Sequence, residues 1–201
     1  MALWEKRIKM KGYNHYLSLY KDTDKNAWHN YGHIYETLLC QYEQKTISFL
    51  EIGIYSGGST KSFEDFFNPS SKIVAVDIDL SKIIHKFGSN VSFIQADAFN
   101  KEFINKLQQD HGQFDIILDD SLHSYESHDF LLTNYMQLLK PNGVMFLEDI
   151  LYPENNLKQL CRKHRCFYID NRYSLSYDRE MNTRDYDASF IIMASKQKEA
   201  I

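Results

Sequence analysis

The 201-residue sequence predicts an α/β fold: a doubly wound, mostly parallel sheet, closed by an antiparallel C-terminal strand pair and preceded by N-terminal helices. Three observations predict it. From residue 46 onward, short apolar runs alternate with amphipathic stretches at the spacing of strand–helix–strand units. The runs stop at acids: Asp77, Asp97, Asp119-Asp120 and Glu148-Asp149. The last two runs, 166–170 and 189–194, have no helical crossover between them and read as an antiparallel pair at one edge.

The elements follow in order. Strand 46–52 ends in Glu51-Ile52-Gly53, and helix 59–67 has Ser59 or Thr60 as its cap. Strand 72–76 ends at Asp77 and leads into a short helix, 80–87. Strand 91–95 ends in Ala96-Asp97, and helix 101–109 carries the chain to strand 114–119. Helix 125–139 is stopped by Pro141-Asn142-Gly143 before strand 144–148. Helix 153–163 opens on Pro153 and closes in a basic segment, as helix polarity favours. A polar, Arg- and Tyr-rich stretch, 171–187, separates the last two strands. Ahead of the alternation, 27–42 reads as a helix that packs on the sheet or over a site. The chain thus divides into an N-terminal helical segment, 1–45, and a core domain, 46–201, without repeats or a linker.

Composition narrows the function classes. Lys plus Arg number 23 against 27 Asp plus Glu, a net charge of −4, which supplies no general basic field for nucleic acid. Cys40, Cys161 and Cys166 are odd in number and lack metal-site spacing, so a reduced, cytoplasmic protein is expected. Residues 1–11 are basic with no apolar core behind them, unlike a signal peptide, and no membrane span is expected. The 14 Tyr and 13 Phe fit either a ligand-lining role or a general compositional bias. A homo-oligomer is compatible with all of this.

Parallel strands with crossover helices align their C-terminal ends along one edge, where ligands bind. The first strand runs into Gly53-Ile54-Tyr55-Ser56-Gly57-Gly58, small residues that let a ligand approach the backbone, though a plain tight turn has the same look. Tyr55 stands where a dinucleotide binder has its second glycine. Glu51 ahead of the turn disfavours a pyrophosphate and suits a ligand carrying an ammonium group. Asp77 is placed to accept hydrogen bonds from ribose hydroxyls, Asp97 from an adenine amino group, and Phe99 to stack on a ring. Singly, each acid also reads as a solvated loop residue.

Together these residues resemble class I S-adenosylmethionine-dependent methyltransferases, whose sheet is Rossmann-like. The similarity runs from about residue 49 to 149 and more loosely beyond. It implies S-adenosylmethionine as cofactor, with Glu51 near its methionine end, Gly53, Ser56 and Gly57 in the turn, Asp77 at the ribose, and Asp97, Ala98 and Phe99 at the adenine.

The two acid pairs carry a second signal. Three packed carboxylates repel unless they share a cation or take up protons, and oxygen ligands without thiolates favour a hard ion such as Mg²⁺. Both pairs could also simply cap the helices that follow. The run Asp119-Asp120-Ser121-Leu122-His123, with Glu148-Asp149, is similar to the D-D-G-S-H and acid-pair pattern of metal-dependent sugar O-methyltransferases, those acting on macrolide and polysaccharide sugars. Thr23-Asp24-Lys25, His29-Asn30-Tyr31 and Tyr35-Glu36 match the same group's N-terminal segment. Ser121 replaces the family's glycine. The resemblance implies that Asp120, Glu148 and Asp149 bind a divalent cation and that His123, beside Asp120, is the general base. The implied acceptor is a sugar hydroxyl, in a small molecule, a nucleotide-linked sugar or a glycan. A catechol-type O-methyltransferase would carry Lys in place of His123 and Asp-Asn in place of Glu148-Asp149. A non-catalytic methyltransferase-like subunit would not need the intact acid set. Asp119 is expected to face away from Asp120, and His128 to lie behind the site or at the surface. His29, Tyr31 and Tyr35 either close over the site or pack the helices. Arg172, Arg179 and Arg184 could grip an acceptor phosphate or lie in an exposed loop.

Overall fold

The computed structural model describes residues 10–27, 29–150, 153–171 and 190–195. Strands β1 (Ser48–Ile52), β2 (Lys72–Asp77), β3 (Val91–Gln95), β4 (Phe114–Asp119), β5 (Leu139–Leu147), β6 (Phe167–Asp170) and β7 (Phe190–Ser195) form one sheet in the order β3-β2-β1-β4-β5-β7-β6. Pairing is parallel from β3 through β5, whereas β7 runs antiparallel to both of its neighbours, β5 and β6. The helices are α1 (Tyr13–Leu17), α2 (Asp24–Ala27), α3 (Gly32–Leu39), α4 (Gly58–Phe66), α5 (Lys101–His111), α6 (Tyr125–Asn134) and α7 (Pro153–His164). None of the described helices is long and apolar enough to cross a membrane.

Side-chain alternation along the strands sorts the core into two layers. Leu50, Ile52, Val74, Val76, Ile117, Met145 and Leu147 meet α5, α6 and α7 through Ile104, Leu107, Leu131, Leu132, Leu157 and Leu160. The intervening residues Phe49, Ile73, Ile116, Leu118 and Phe146 meet α1, α3 and α4, whose contribution is largely aromatic. Tyr13 stacks on Phe63 at 4.5 Å between ring centroids, and Tyr35 meets Phe146 edge-on at 5.5 Å. The residues ahead of β1, together with α4, thereby form one of the two layers covering the sheet. Strand order reverses between β1 and β4, and a crevice opens there at the C-terminal ends of the strands.

Three elements differ from the sequence expectation. Stretch 80–87 forms only a 3-10 turn, Leu80–Lys82. Beyond it the Ile84 amide donates to the Ser56 carbonyl and the His85 ring meets Asp22, bonds to neighbouring segments that a continuous helix could not make. The expected helix 27–42 is broken between α2 and α3, with Asn30 at φ 53°. The expected helix 125–139 stops at Asn134, and β5 starts at Leu139, ahead of Pro141. A register shift between Phe114 and Ile116 absorbs the proline, and a Cβ on Gly143 would press on the carbonyls of Lys140, Phe114 and Asp115 at 3.0–3.1 Å.

Phe63 is the hub of the aromatic layer and is 1 % exposed. Phe63→Ala is expected to lower stability by about 3–5 kcal/mol in urea denaturation, because the rigid sheet behind it cannot collapse into the gap.

Candidate functional site

The crevice is a cavity of about 860 Å³. One wall is the turn after β1. Gly53 sits at φ 84°, and a Cβ there would lie 2.1 Å from the Asp120 carbonyl oxygen, so this position accepts no side chain. Gly57, at φ 90°, caps α4 in place of the expected Ser59 or Thr60, which lie within the helix, and unlike Gly53 and Ser56 it does not line the cavity. Asp77 ties the turn to β2: one carboxylate oxygen accepts from the Ile54 and Tyr55 amides, the other from the Asp79 amide. Asp77, Asp97, Ala98 and Phe99 all line the cavity, and Asp97 accepts from the Phe99 amide. The opposite wall is the N-terminal segment, Lys21 to Asp24, where the Asp22 carboxylate accepts from the Ser56 hydroxyl at 2.6 Å. Glu51 is placed differently. It is fully buried beneath the turn, held by the Thr60 hydroxyl at 2.6 Å, and burial pushes its carboxyl up to about 7.

Asp120 lines one end of the cavity, and Glu148 and Asp149 lie buried behind it. Asp120 follows the end of β4, Glu148 and Asp149 follow the end of β5, and parallel registry sets the strands side by side (Asp119 pairs with Leu147). His123 and Asp149 adopt left-handed backbone, φ 55° and 54°, which costs non-glycine residues about 1–3 kcal/mol each. Reciprocal Ser124–Ser127 bonds cap α6, so neither Asp119 nor Asp120 is needed as that cap and the loop from Asp120 to His123 is pinned at both ends. Oxygens of Asp120 and Asp149 and a ring nitrogen of His123 lie within 4.8 Å of one another. Glu148 sits just behind. Its Oε1 accepts from the Tyr35 hydroxyl at 2.5 Å and its Oε2 from the Lys25 ammonium. The same ammonium bonds Asp120 Oδ2. The Tyr31 hydroxyl donates to Asp149 Oδ1 at 2.6 Å, and the His29 ring stands 3.3 Å from that oxygen.

The electrostatics follow from burial. Burial raises Glu148 well above the usual carboxylate range, opposed by Lys25. Burial also lifts Asp149 to about 6, countered by His29. For Lys25 itself burial works against the charged form, yet Asp120 and Glu148 hold its pKa well above the usual lysine value. Asp119 points to the other face. It accepts from the Ser121 hydroxyl, lies 3.6 Å from buried His128, and is pushed to about 7 by burial. His128 is enclosed and lowered to about 3 by burial, so it belongs behind the site and not at the surface. Ligands at 2.0–2.6 Å from one ion are separated by about 3–5 Å, and the Asp120 and Asp149 oxygens and the His123 nitrogen, all within 4.8 Å of one another, fit that spacing, so the cluster suits a divalent cation.

Sequence reasoning missed Lys25 as a participant, although Thr23-Asp24-Lys25 was visible as a motif. Of the two roles expected for Tyr31 and Tyr35, their rings take the packing one, in the aromatic layer; neither lines the cavity, and their hydroxyls bond the buried acids Asp149 and Glu148. Arg172, Arg179 and Arg184 lie outside the described residues.

Residues 50–150 match the family described as a methyltransferase domain. The chain is 29 % identical over 127 residues to the mycinamicin VI 2''-O-methyltransferase of Micromonospora griseorubida, covering 58 % of this chain and 30 % of that protein. It is 23 % identical over 130 residues to the 8-demethyl-8-(2-methoxy-alpha-L-rhamnosyl)-tetracenomycin-C 3'-O-methyltransferase of Streptomyces olivaceus, covering 61 % and 33 %. The chain therefore spans about a third of the length of these curated relatives. Its fold superimposes with a TM-score of 0.69, at 20 % identity, on the MycE methyltransferase of the mycinamycin biosynthetic pathway solved with Mg, SAH and mycinamycin VI, covering 94 % of this chain and 54 % of that one.

The raised carboxyls set a pH dependence for the chelator-treated chain. Glu51 and Asp119 stay protonated in the folded state up to about 7 but ionise near the usual carboxylate range when unfolded. The folded chain thus binds more protons across that window, and stability falls as pH rises through it. His128 opposes this only below its ordinary 6.5, so the fall is cleanest from there to about pH 8. Glu51→Gln is expected to flatten the decline, read by urea titrations at each pH; a decline of unchanged slope would show that Glu51 is ionised in the fold.

Proposed function

The chain belongs to the methyltransferase-domain family, and from that premise we propose that it transfers the methyl group of S-adenosylmethionine to a sugar hydroxyl with the help of a divalent cation, Mg²⁺ foremost. The observation that carries this reading is continuity. The turn, the strand-end acids Asp77 and Asp97, and the Asp120–His123 loop all line one cavity, so a cofactor on the first set meets an acceptor at the second. The names of two relatives support it: both are O-methyltransferases, and the acceptor named for the second carries a rhamnosyl group.

S-adenosylmethionine supplies a methyl group already activated on a sulfonium. The chain has to hold it and aim an oxygen in line with the methyl–sulfur bond. Asp77 has lone pairs left for ribose hydroxyls, and Asp97 with Ala98 and Phe99 provides the adenine end. Glu51 acts from beneath the turn, holding its shape through Thr60. Asp120 and Asp149, with Glu148 behind them, would hold the cation, which supplies charge stabilisation to the acceptor oxygen. A sugar hydroxyl is a very weak acid and needs a base. His123 fits: its Nε2 is 3.9 Å from Asp120 Oδ1, its side chain is 28 % exposed on the cavity side, and its left-handed backbone holds the ring over the acids. The base and the Glu148-Asp149 pair separate this site from the catechol-type pattern of Lys and Asp-Asn.

The test combines purified chain, S-adenosylmethionine and Mg²⁺ with panels of sugar and catechol acceptors, with and without chelator, and follows S-adenosylhomocysteine release. Sugars are expected to turn over and chelation to stop it. Methylation confined to catechols, or indifferent to chelation, overturns the reading. His123→Ala is expected to keep cofactor affinity and lose about 10²–10⁴ in turnover; a near-normal rate removes His123 as the base.

A further inference from the structure

Lys25 is the least expected member of the site. It lies in the four-residue helix α2, ahead of the sheet, yet its side chain is fully buried at the ends of β4 and β5. Its ammonium touches Asp120 and Glu148, acids 28 positions apart that belong to different strand ends. The segment is set by short bonds: the Tyr31 amide donates to the Lys25 carbonyl at 2.6 Å, and the Asn171 side chain donates to the His29 carbonyl at 2.6 Å. Lysine is rarely buried to this extent without a specific ionic partner. Lys21 to Asp24 line the cavity wall, whereas Lys25 lies behind it, in contact with Asp120. It acts through other residues.

The charge count gives its role. A bound cation displaces the protons of its ligands, so Asp120, Glu148 and Asp149 then bring three negative charges, and Lys25, bonded to two of them, takes one away. Two remain, the charge that one divalent cation neutralises. Carboxylates whose electron density is shared with an ammonium donate less of it to a metal, so a cation there keeps more of its pull on an acceptor oxygen. We propose that Lys25 is a positioning residue that trims the carboxylate site to the charge of a single divalent cation, trading tightness of cation binding for polarising power. The inference rests on the metal-dependent reading above.

The role has a signature that simple structural support lacks. Structural damage weakens cation binding and turnover together, whereas removal of a neighbouring positive charge strengthens the first and weakens the second. Lys25→Met keeps the stem and deletes the charge. Calorimetric titration with Mn²⁺ is expected to show about tenfold tighter binding than in the wild-type chain. Turnover at saturating Mg²⁺, on whichever acceptor the wild type methylates, is expected to fall about tenfold or more. Lys25→Arg, which keeps the charge, is expected to stay near wild type in both. Equal or weaker Mn²⁺ binding by Lys25→Met overturns the proposal. If Lys25→Met unfolds without metal, thermal melts decide: a larger Mg²⁺-induced rise in Tm than in wild type supports it, and an equal or smaller rise overturns it. A wild-type chain that binds no Mn²⁺ overturns the metal-dependent reading itself, whereas wild-type binding that Lys25→Met leaves unchanged overturns only the role of Lys25.

Discussion

The constraint on which this structure depends is the burial of acids at one edge of a parallel sheet. Glu51, Asp119, Glu148 and Asp149 are all nearly or fully buried, and Asp120 is one residue past the end of β4. Removing one carboxylate from water is costly, and several at close range repel as well. The fold answers by bringing donors from elsewhere in the chain. Lys25, Tyr31 and Tyr35 arrive from the N-terminal segment, Thr60 from α4 and Ser121 from the loop itself. This makes the helices before β1 an integral part of the site as well as a layer of the core. They could not be exchanged for any other apolar cover, because the hydroxyls and the ammonium are carried by the same residues, or their neighbours, that pack the sheet.

Strand registry turns this burden into an arrangement. β4 lies between β1 and β5, so the residues that leave its end are flanked by the turn after β1 on one side and by Glu148-Asp149 on the other. Alternation then divides the Asp119-Asp120 pair. Asp119 faces His128 beneath α6, while Asp120 faces Lys25 and His123. Two of the residues brought together, His123 and Asp149, are held in strained backbone. Strain at both sides of one small cluster indicates that the surrounding structure over-determines their positions, as reactive sites require.

Much of this was legible in the sequence, and the limits have physical causes. The central strands were readable because parallel strands buried on both faces are near-continuous apolar runs, as in 114–118 and 144–147. The acids were readable because a strand's end fixes where its next residues emerge. What failed was anything decided by long-range contacts. Stretch 80–87 has a helical pattern, but bonds to Ser56 and Asp22 outcompete the helix. Helix 27–42 is interrupted so that His29 and Tyr31 can reach Asp149. The side to which Glu51 points depends on Thr60, and the importance of Lys25 on acids some hundred residues later, neither of which any periodicity reports. The motif containing Lys25 could be recognised, but its charge acquires meaning only when the sheet edge is assembled.

The N-terminal segment also links the two halves of the cavity. Lys21 to Asp24 form a wall opposite the glycine turn, and Asp22 bonds Ser56 within that turn. One residue further on, Lys25 bonds the acids of β4 and β5. A shift of this segment therefore changes the shape of the cofactor side and the charge of the acid side together. Ligands that each favour one position of a shared wall are thermodynamically coupled, and the coupling is reciprocal. A methyl donor carrying positive charge and a site with surplus negative charge would otherwise attract each other whether or not an acceptor were in place. By fixing that surplus with a lysine one residue past the shared wall, the chain ties the charge of the acid side to the short segment that walls the cavity.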